Sequence, residues 1–225
     1  MLMLNQYGGF GSRGSVDNLL YIAINTVTTN TLIQVPSATE AGDLVICIQH
    51  QASGSSTVPT AVQPSGFSYV GAGTQGGAAG GSNGARLSMS YKVVQSGDLG
   101  VNFTCGTGAG YHQHHMIAFR PSRRIVSVET GGWDTSGPTE NNPAALTIVA
   151  PTYRPSISFG VSQVQSSDPT PTGTITSTGT QVFTDTRRDV YYRIFNNLVT
   201  LEDLTIDVGD AGNMNHLCCG WVAVR

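Results

Sequence analysis

Residues 21–26 read Tyr-Ile-Ala-Ile-Asn-Thr, and residues 125–130, 104 positions later, read Ile-Val-Ser-Val-Glu-Thr. Three further segments recur in the same order at shifts of 101 to 105 positions: residues 90–94 as 191–195, residues 99–103 as 204–208, and residues 118–120 as 223–225. Collinear matches at a nearly constant shift indicate an internal duplication, and a unit of about 100 residues can form a β-sandwich with its own core. The sequence therefore predicts an all-β protein of two tandem antiparallel, jelly-roll-like β-sandwich units.

Short β-branched and aromatic runs, bounded by Gly, Pro, Ser and Asn, occur throughout the chain. Apolar and polar residues alternate in several of them, for example over residues 87–93 and 204–208, as in strands that bury one face. Strands are predicted at 19–28, 31–35, 43–51, 66–72, 85–94, 99–104 and 111–120 in the first unit, and at 123–130, 145–150, 156–165, 174–177, 180–184, 188–195, 203–208 and 215–224 in the second.

The repeat also predicts the domain boundaries. Residues 16–121 form the first unit and residues 122–225 the second, joined by the short link Pro121-Ser122-Arg123-Arg124. Residues 1–15 match nothing in the repeat and are predicted to be an N-terminal attachment arm. The copies differ most at residues 71–84 and 131–144, which are predicted to be loops and hence the places for binding specificity.

Charged residues make up only 11% of the 225 residues, against about 25% in an average soluble domain. The formal net charge of −3 provides no field that would attract nucleic acid. No apolar run approaches the roughly 20 residues of a membrane helix, so membrane insertion is not expected. The first residues have neither the basic nor the long apolar region of a signal peptide.

Four cysteines are present, at positions 47, 105, 218 and 219. No C-x-x-C spacing for zinc occurs, and adjacent Cys218 and Cys219 would lie on opposite faces of a strand. Buried free thiols are therefore expected, since free cysteine is among the most buried residue types and disulfides are rare in a reducing cytoplasm.

The densest group of possible metal ligands is the run Tyr111-His112-Gln113-His114-His115. On a strand, His112 and His114 share one face, but a metal needs a third ligand, which only His50 or His216 could supply through the fold. Structural histidines are the main expectation and a metal site at His112 and His114 the alternative. No cofactor is expected.

Three catalytic patterns were weighed, and none predicts an enzyme. Residues 80–84 spell G-x-S-x-G, but they lie in a Gly-rich stretch that leads into a strand, whereas the nucleophile elbow needs a following helix. Carboxylate pairs for glycoside hydrolysis could come from Glu129 with Asp134 or from Asp185 with Asp189, although isolated surface acids are commoner. Residues 71–84 also lack the Lys-Ser/Thr ending of a phosphate loop.

Trp133 and Asp134 are the candidate binding residues. Trp133 follows two glycines in a predicted loop, where an aromatic ring can stack on a sugar or anchor a protein contact. The alternative is that Trp133 closes the end of a sandwich. Trp221 ends a strand with apolar neighbours and is predicted to be core.

The first unit contains a set of motifs at turns and along strands: Gly42-Asp43-Leu44-Val45-Ile46, Pro64-Ser65-Gly66-Phe67, the alternating strand Arg86–Val94, and Gly97-Asp98. This set resembles the β-sandwich modules of tailed-bacteriophage virion proteins and some bacterial surface proteins. Phe67 stands where the modules more often have Trp. The likeness covers most of residues 30–121 and, more faintly, 145–225. Its motifs are turns and core positions, so it implies a fold and a class of protein but no functional residues.

The resemblance implies a non-enzymatic structural protein of a tailed-phage virion, foremost an exposed tail component such as a fibre or tip protein that contacts the host surface. The alternatives are a capsid decoration or cement protein, and a cell-surface carbohydrate-binding or adhesin module. The expected partners are other virion proteins bound through residues 1–15, further copies of the chain in a homo-oligomer such as a trimer, and a host-surface glycan. The expected location is the virion, assembled in the host cytoplasm.

Overall fold

The all-β prediction is confirmed. The computed structural model describes residues 18–52, 57–60, 62–70, 77–80, 83–107, 111–136, 145–149, 151, 155–164, 175–185, 188–196, 203–208 and 215–225. Within these ranges the chain forms sixteen strands and one 3-10 turn, at Ser96–Asp98. The predicted arm, residues 1–15, lies outside them.

Most strands lie at or within the predicted ranges, whereas the strand Gly77–Gly80 has no predicted counterpart and another lies at Val128–Ser136 instead of 123–130. In the first unit they are β1 (Leu19–Thr28), β2 (Leu32–Ile33), β3 (Leu44–Ala52), β4 (Ser68–Tyr69), β5 (Gly77–Gly80), β6 (Asn83–Val93), β7 (Phe103–Thr104) and β8 (Tyr111–Pro121). In the second they are β9 (Val128–Ser136), β10 (Leu146–Ile148), β11 (Ser156–Val164), β12 (Ile175–Ser177), β13 (Thr180–Thr184), β14 (Arg188–Phe195), β15 (Leu204–Val208) and β16 (Asn215–Val224).

Both halves of the chain have the same strand order. The large sheet of the first unit runs β1-β8-β3-β6-β4, with β5 paired to β6, and that of the second runs β9-β16-β11-β14-β13. Each unit adds a small sheet, β2-β7 in the first and β10-β15-β12 in the second. All strand pairs in the described residues are antiparallel and join strands of one unit. The shared strand order is the structural counterpart of the repeat in the sequence.

The register of the repeat differs from the sequence match in β1, and also in β6, where Tyr91 corresponds to Ile194 at a shift of 103 instead of 101. Tyr21 pairs with Phe119, whereas Val128 pairs with Val224. Because Phe119 and Val224 are equivalent at a shift of 105, Tyr21 corresponds to Val128, a shift of 107. The match at a shift of 104 was therefore wrong by three positions at Tyr21 and by two after the bulge, where Ala23 corresponds to Glu129, because Ile125 lies before the start of β9.

Four layers of sheet stack around three apolar clusters. One cluster lies between the large and small sheets of the first unit, and another occupies the same place in the second. The third and largest lies between the two large sheets and draws buried side chains from both units. The two units therefore share a core, in addition to the cores within each sandwich that the sequence predicts.

Strand β3 shows why both faces of a large sheet are covered. Residues 44–48 read Leu-Val-Ile-Cys-Ile and are all fully buried. Leu44, Ile46 and Ile48 face the other unit, while Val45 and Cys47 face the small sheet. A continuous apolar run is typical of a strand that is buried on both faces, which a single two-layer sandwich cannot provide.

Two predicted loops contain strand. Gly77–Gly80 forms β5, which pairs with the start of β6, although residues 71–84 were predicted to be a loop. Small residues carry no alternating pattern, but their backbone groups still pair. Strand β9 likewise extends to Ser136, into the predicted loop 131–144, because Gly131 and Gly132 leave room for the ring of Trp221: a Cβ on either would lie 2.6 Å from it.

The shared core predicts that the two units unfold together. The ring of Phe119 contacts those of Tyr21, Phe159 and Tyr192 at centroid distances of 6.0, 5.8 and 5.5 Å. Phe119→Ala should lower the free energy of unfolding by about 3–5 kcal/mol, because it opens a cavity in this core. Unfolding by denaturant should show a single transition in both proteins, and its midpoint should move to a lower denaturant concentration in the variant. Two transitions, one of them unmoved, would contradict a shared core, and the exposed Val126→Ala is the neutral control.

Candidate functional site

The described polar side chains that could do chemistry are concentrated in the interior. His50, Gln113, His115, Gln163 and Arg188 are all at most 4% exposed and lie toward one end of the shared core. His50 and Gln113 are opposite each other on β3 and β8, and Gln163 and Arg188 are opposite each other on β11 and β14. We refer to these five residues as the inter-sheet polar cluster.

Specific contacts hold this cluster together. The rings of His50 and His115 meet edge to face at 5.2 Å, and His115 Nδ1 lies 2.9 Å from Thr26 Oγ1. Gln163 crosses between the units, where its Nε2 donates to the carbonyl of Gln51 at 3.1 Å. The Arg188 guanidinium pairs with Asp185 at 3.0 Å. The cluster is thus a polar joint between two sheets that are otherwise held by apolar contacts.

Burial keeps His115 neutral. It lowers the pKa of His115 to about 3, with further contributions from His114 and from the positive charge of Arg188. The Asp189 carboxyl, on the other face of β14, has its pKa raised by burial, although Gln181 donates to it at 2.9 Å. Groups that are closed off from solvent in this way can orient one another, but they offer no surface at which a substrate could bind.

His112 and His114, the predicted metal ligands, lie on the opposite face of the first large sheet. Their rings stack with centroids 5.4 Å apart, and burial lowers the pKa of His114 to about 3. His50 faces the shared core, so it cannot join them as a third ligand. No cluster of three His, Cys, Asp or Glu suited to a metal occurs in the described part of the chain. The side chain of His216 lies outside it.

The four cysteines are buried free thiols, as predicted. Cys218 faces the shared core, and Cys219 faces the core of the second unit. Cys47 and Cys105 lie with their sulfurs 3.9 Å apart between the large and small sheets of the first unit. Hydrogen bonding to Cys105 and burial raise the pKa of the Cys47 thiol, and burial raises the pKa of Cys219 to about 12.

Trp133 and Asp134 lie on strand β9 and not on the predicted loop. Trp133 is partly buried against the shared core, which matches the alternative that it closes the end of a sandwich. Asp134 is opposite Cys219 in the ladder. The strand position of these two residues was not predicted because two adjacent glycines usually mark a turn. Here the glycines instead leave room for the ring of Trp221.

The catalytic patterns do not assemble into sites. Gly80 pairs with Asn83, where strand β6 begins, so the G-x-S-x-G letters lead into a strand, whereas the nucleophile elbow needs a helix after the serine. Glu129 pairs with Arg225 at 3.0 Å, and Asp185 with Arg188 at the same distance. One acid of each proposed pair is thus engaged with an arginine, as structural acids are.

An open groove of about 690 Å³ lies beside the link between the units. Asp43, at the turn before β3, is buried and accepts two hydrogen bonds of 3.0 Å from Arg120 at the end of β8. Glu40 pairs with the same guanidinium at 3.1 Å. Arg123 and Arg124 complete the basic side of the groove. The Gly-Asp motif thus fixes a turn to the sheet, a structural role.

No family model, curated protein or solved structure matches this chain. In the described residues, no helix has the length and apolar character to cross a membrane.

The buried thiols predict slow labelling. In the native protein none of the four cysteines should react quickly with a thiol reagent, because burial blocks access to them. Burial also raises the pKa of Cys218 and Cys219, and hydrogen bonding to Cys105 together with burial raises that of Cys47. All four should react after denaturation. Val126→Cys, at a position 79% exposed, is the matched control and should label at once. Rapid labelling of the unmodified native protein would contradict this packing.

The neutral histidines predict acid lability. The unfolded chain binds protons near pH 6.5, whereas folded His114 and His115 bind them near pH 3. The contribution of these histidines to the free energy of unfolding should therefore be fully present above pH 6.5. It should fall between pH 6.5 and 3, by at most about 1.4 kcal/mol per pH unit for each histidine. Unfolding measured across this range should be less pH-dependent in His114→Gln/His115→Gln. An equal dependence in both proteins would contradict the assignment.

Proposed function

We propose that this protein is a non-enzymatic structural component of a tailed-bacteriophage particle, and within that class an exposed tail component such as a fibre or tip protein. The observation that carries the proposal is the shared core. Two sandwiches that bury their large sheets against each other make one block of four layers, which suits a part that must keep its shape under load.

The placement of polar groups supports a structural role. The inter-sheet polar cluster is buried, Asp185 and Glu129 are paired with arginines, and the Gly-Asp turn is tied to Arg120. Each of these groups holds one part of the fold to another. An enzyme would instead be expected to gather such groups around an accessible cavity.

The assignment to a phage particle rests on the resemblance of the first unit to virion modules. The residues that carry it have structural roles in this fold: Phe67 packs in the core of the first unit, edge to face with Phe103 at 5.3 Å, and Asp43 anchors the turn before β3. We further propose that residues 1–15 attach the protein to neighbouring virion proteins.

Labelling of particles tests this function. Gold-labelled antibody fragments against the protein should mark the tail of particles purified from the lysate that contains it. Deletion of residues 1–15 should abolish incorporation while leaving the melting temperature of the purified protein within a degree or two. Label on the head would replace the tail assignment by capsid decoration. A protein that is absent from particles and binds a glycan array would contradict the virion role and favour the adhesin.

A further inference from the structure

Strand β1 forms one edge of the first large sheet and carries no charge. Its ten residues read Leu-Leu-Tyr-Ile-Ala-Ile-Asn-Thr-Val-Thr. One side pairs with β8, and in the described residues no strand pairs with the other. At about 3.3 Å per residue, the edge is roughly 33 Å long.

Sheet edges of this length are normally protected against pairing. Proteins protect them with charged residues, prolines, bulges or very short strands. The equivalent strand of the second unit, β9, carries Glu129, which is bonded to Arg225, together with two glycines and Asp134. Strand β4, at the other edge of the first sheet, is only two residues long. Of these devices β1 has only a bulge between Tyr21 and Ala23. At its start, the backbone N–H and C=O of Leu19 are bonded to the side-chain amide of Asn196, so the uncovered edge begins after Leu19.

A second uncharged edge lies on the same side of the molecule. Strand β13, at the edge of the second large sheet, reads Thr-Gln-Val-Phe-Thr. It is adjacent to β14, whose Tyr192 stacks on Tyr21 of β1 at 5.5 Å. The two sheets thus end together on this side, where neither edge strand carries a charged residue.

A cleft of about 530 Å³ runs beside the exposed edge. It lies between Ala23–Asn25 of β1 and the extended segment 34–37, with Leu99, 42% exposed, at its rim. The cleft offers partly apolar space to the side chains of an added strand. Leu20, 65% exposed, adds apolar surface near the start of β1.

We propose that a second copy of this chain docks on this side, by antiparallel pairing of β1 with β1 of the partner. The edge has no charge with which to select a charged peptide, whereas an uncharged strand is complementary to itself about a two-fold axis. An axis perpendicular to the sheet also brings β13 to face the partner's β13. A two-fold axis at residue 23, close to the strand's midpoint, places Ala23 opposite Ala23 of the partner, because such an axis pairs a residue with its own equivalent on the same face of the sheet.

Charge variants at the centre of β1 test this interface. Ala23→Lys and Ala23→Glu each place like charges next to each other across the two-fold axis, so each should weaken dimerisation at least about tenfold. An equimolar mixture of the two variants should restore dimers, because it places opposite charges there. Val149→Lys makes the same charge change at a position 73% exposed in the second unit and should leave dimerisation unchanged. Analytical sedimentation gives the mass of the complex that each variant forms, and the melting temperature of each variant shows whether it is folded.

Several results would overturn the interface. A monomer at all concentrations, a trimer, or dimers equally resistant to Ala23→Lys and Val149→Lys would exclude pairing through β1. Dimers that Ala23→Lys disrupts but the mixture does not restore would show that another segment, such as residues 1–15 of a second copy, occupies the edge.

The inference deepens the proposed structural role, but the test uses purified protein without particles. A monomeric protein that is still incorporated into particles would overturn only the interface. A dimer that is absent from particles would overturn only the virion role.

Discussion

The packing of one large sheet on the other is the interaction on which the rest of the structure depends. The ring of Phe119 contacts aromatic rings from both units, and buried side chains from both large sheets surround it. Because this cluster is larger than the core within either sandwich, neither unit has a complete core without its neighbour. The two units therefore pack into one block of four layers, with the small sheets as its outer layers.

Polar contacts also cross between the large sheets within that core. Gln163 donates to the Gln51 carbonyl, and the ring centroid of His115 lies 4.3 Å from that of Phe183. A hydrogen bond has direction, which apolar packing lacks, and the best-attested use of buried polar groups is to fix one arrangement among several. A neutral His115 suits this place, since a charged imidazole would be strongly disfavoured by burial.

Much of the fold was predictable from sequence, because alternation reports directly on strands. Residues 180–184 and 188–195 were predicted at the observed bounds of β13 and β14. The shared core was not predicted, since a run such as Leu44–Ile48 shows that a strand is covered on both faces but not by what. The contact of His50 with His115, and their nearness to Arg188, depend on register and on how two sheets stack. No local pattern encodes either.

Native-state hydrogen exchange tests the shared core most directly. The most protected amides of β3 and β8 in the first unit, and of β11 and β16 in the second, should open with one common free energy that equals the global free energy of unfolding. Phe119→Ala should lower that value equally in both units. If the strands of the second unit keep their protection while those of the first open, the units fold separately and the account of a shared core is wrong.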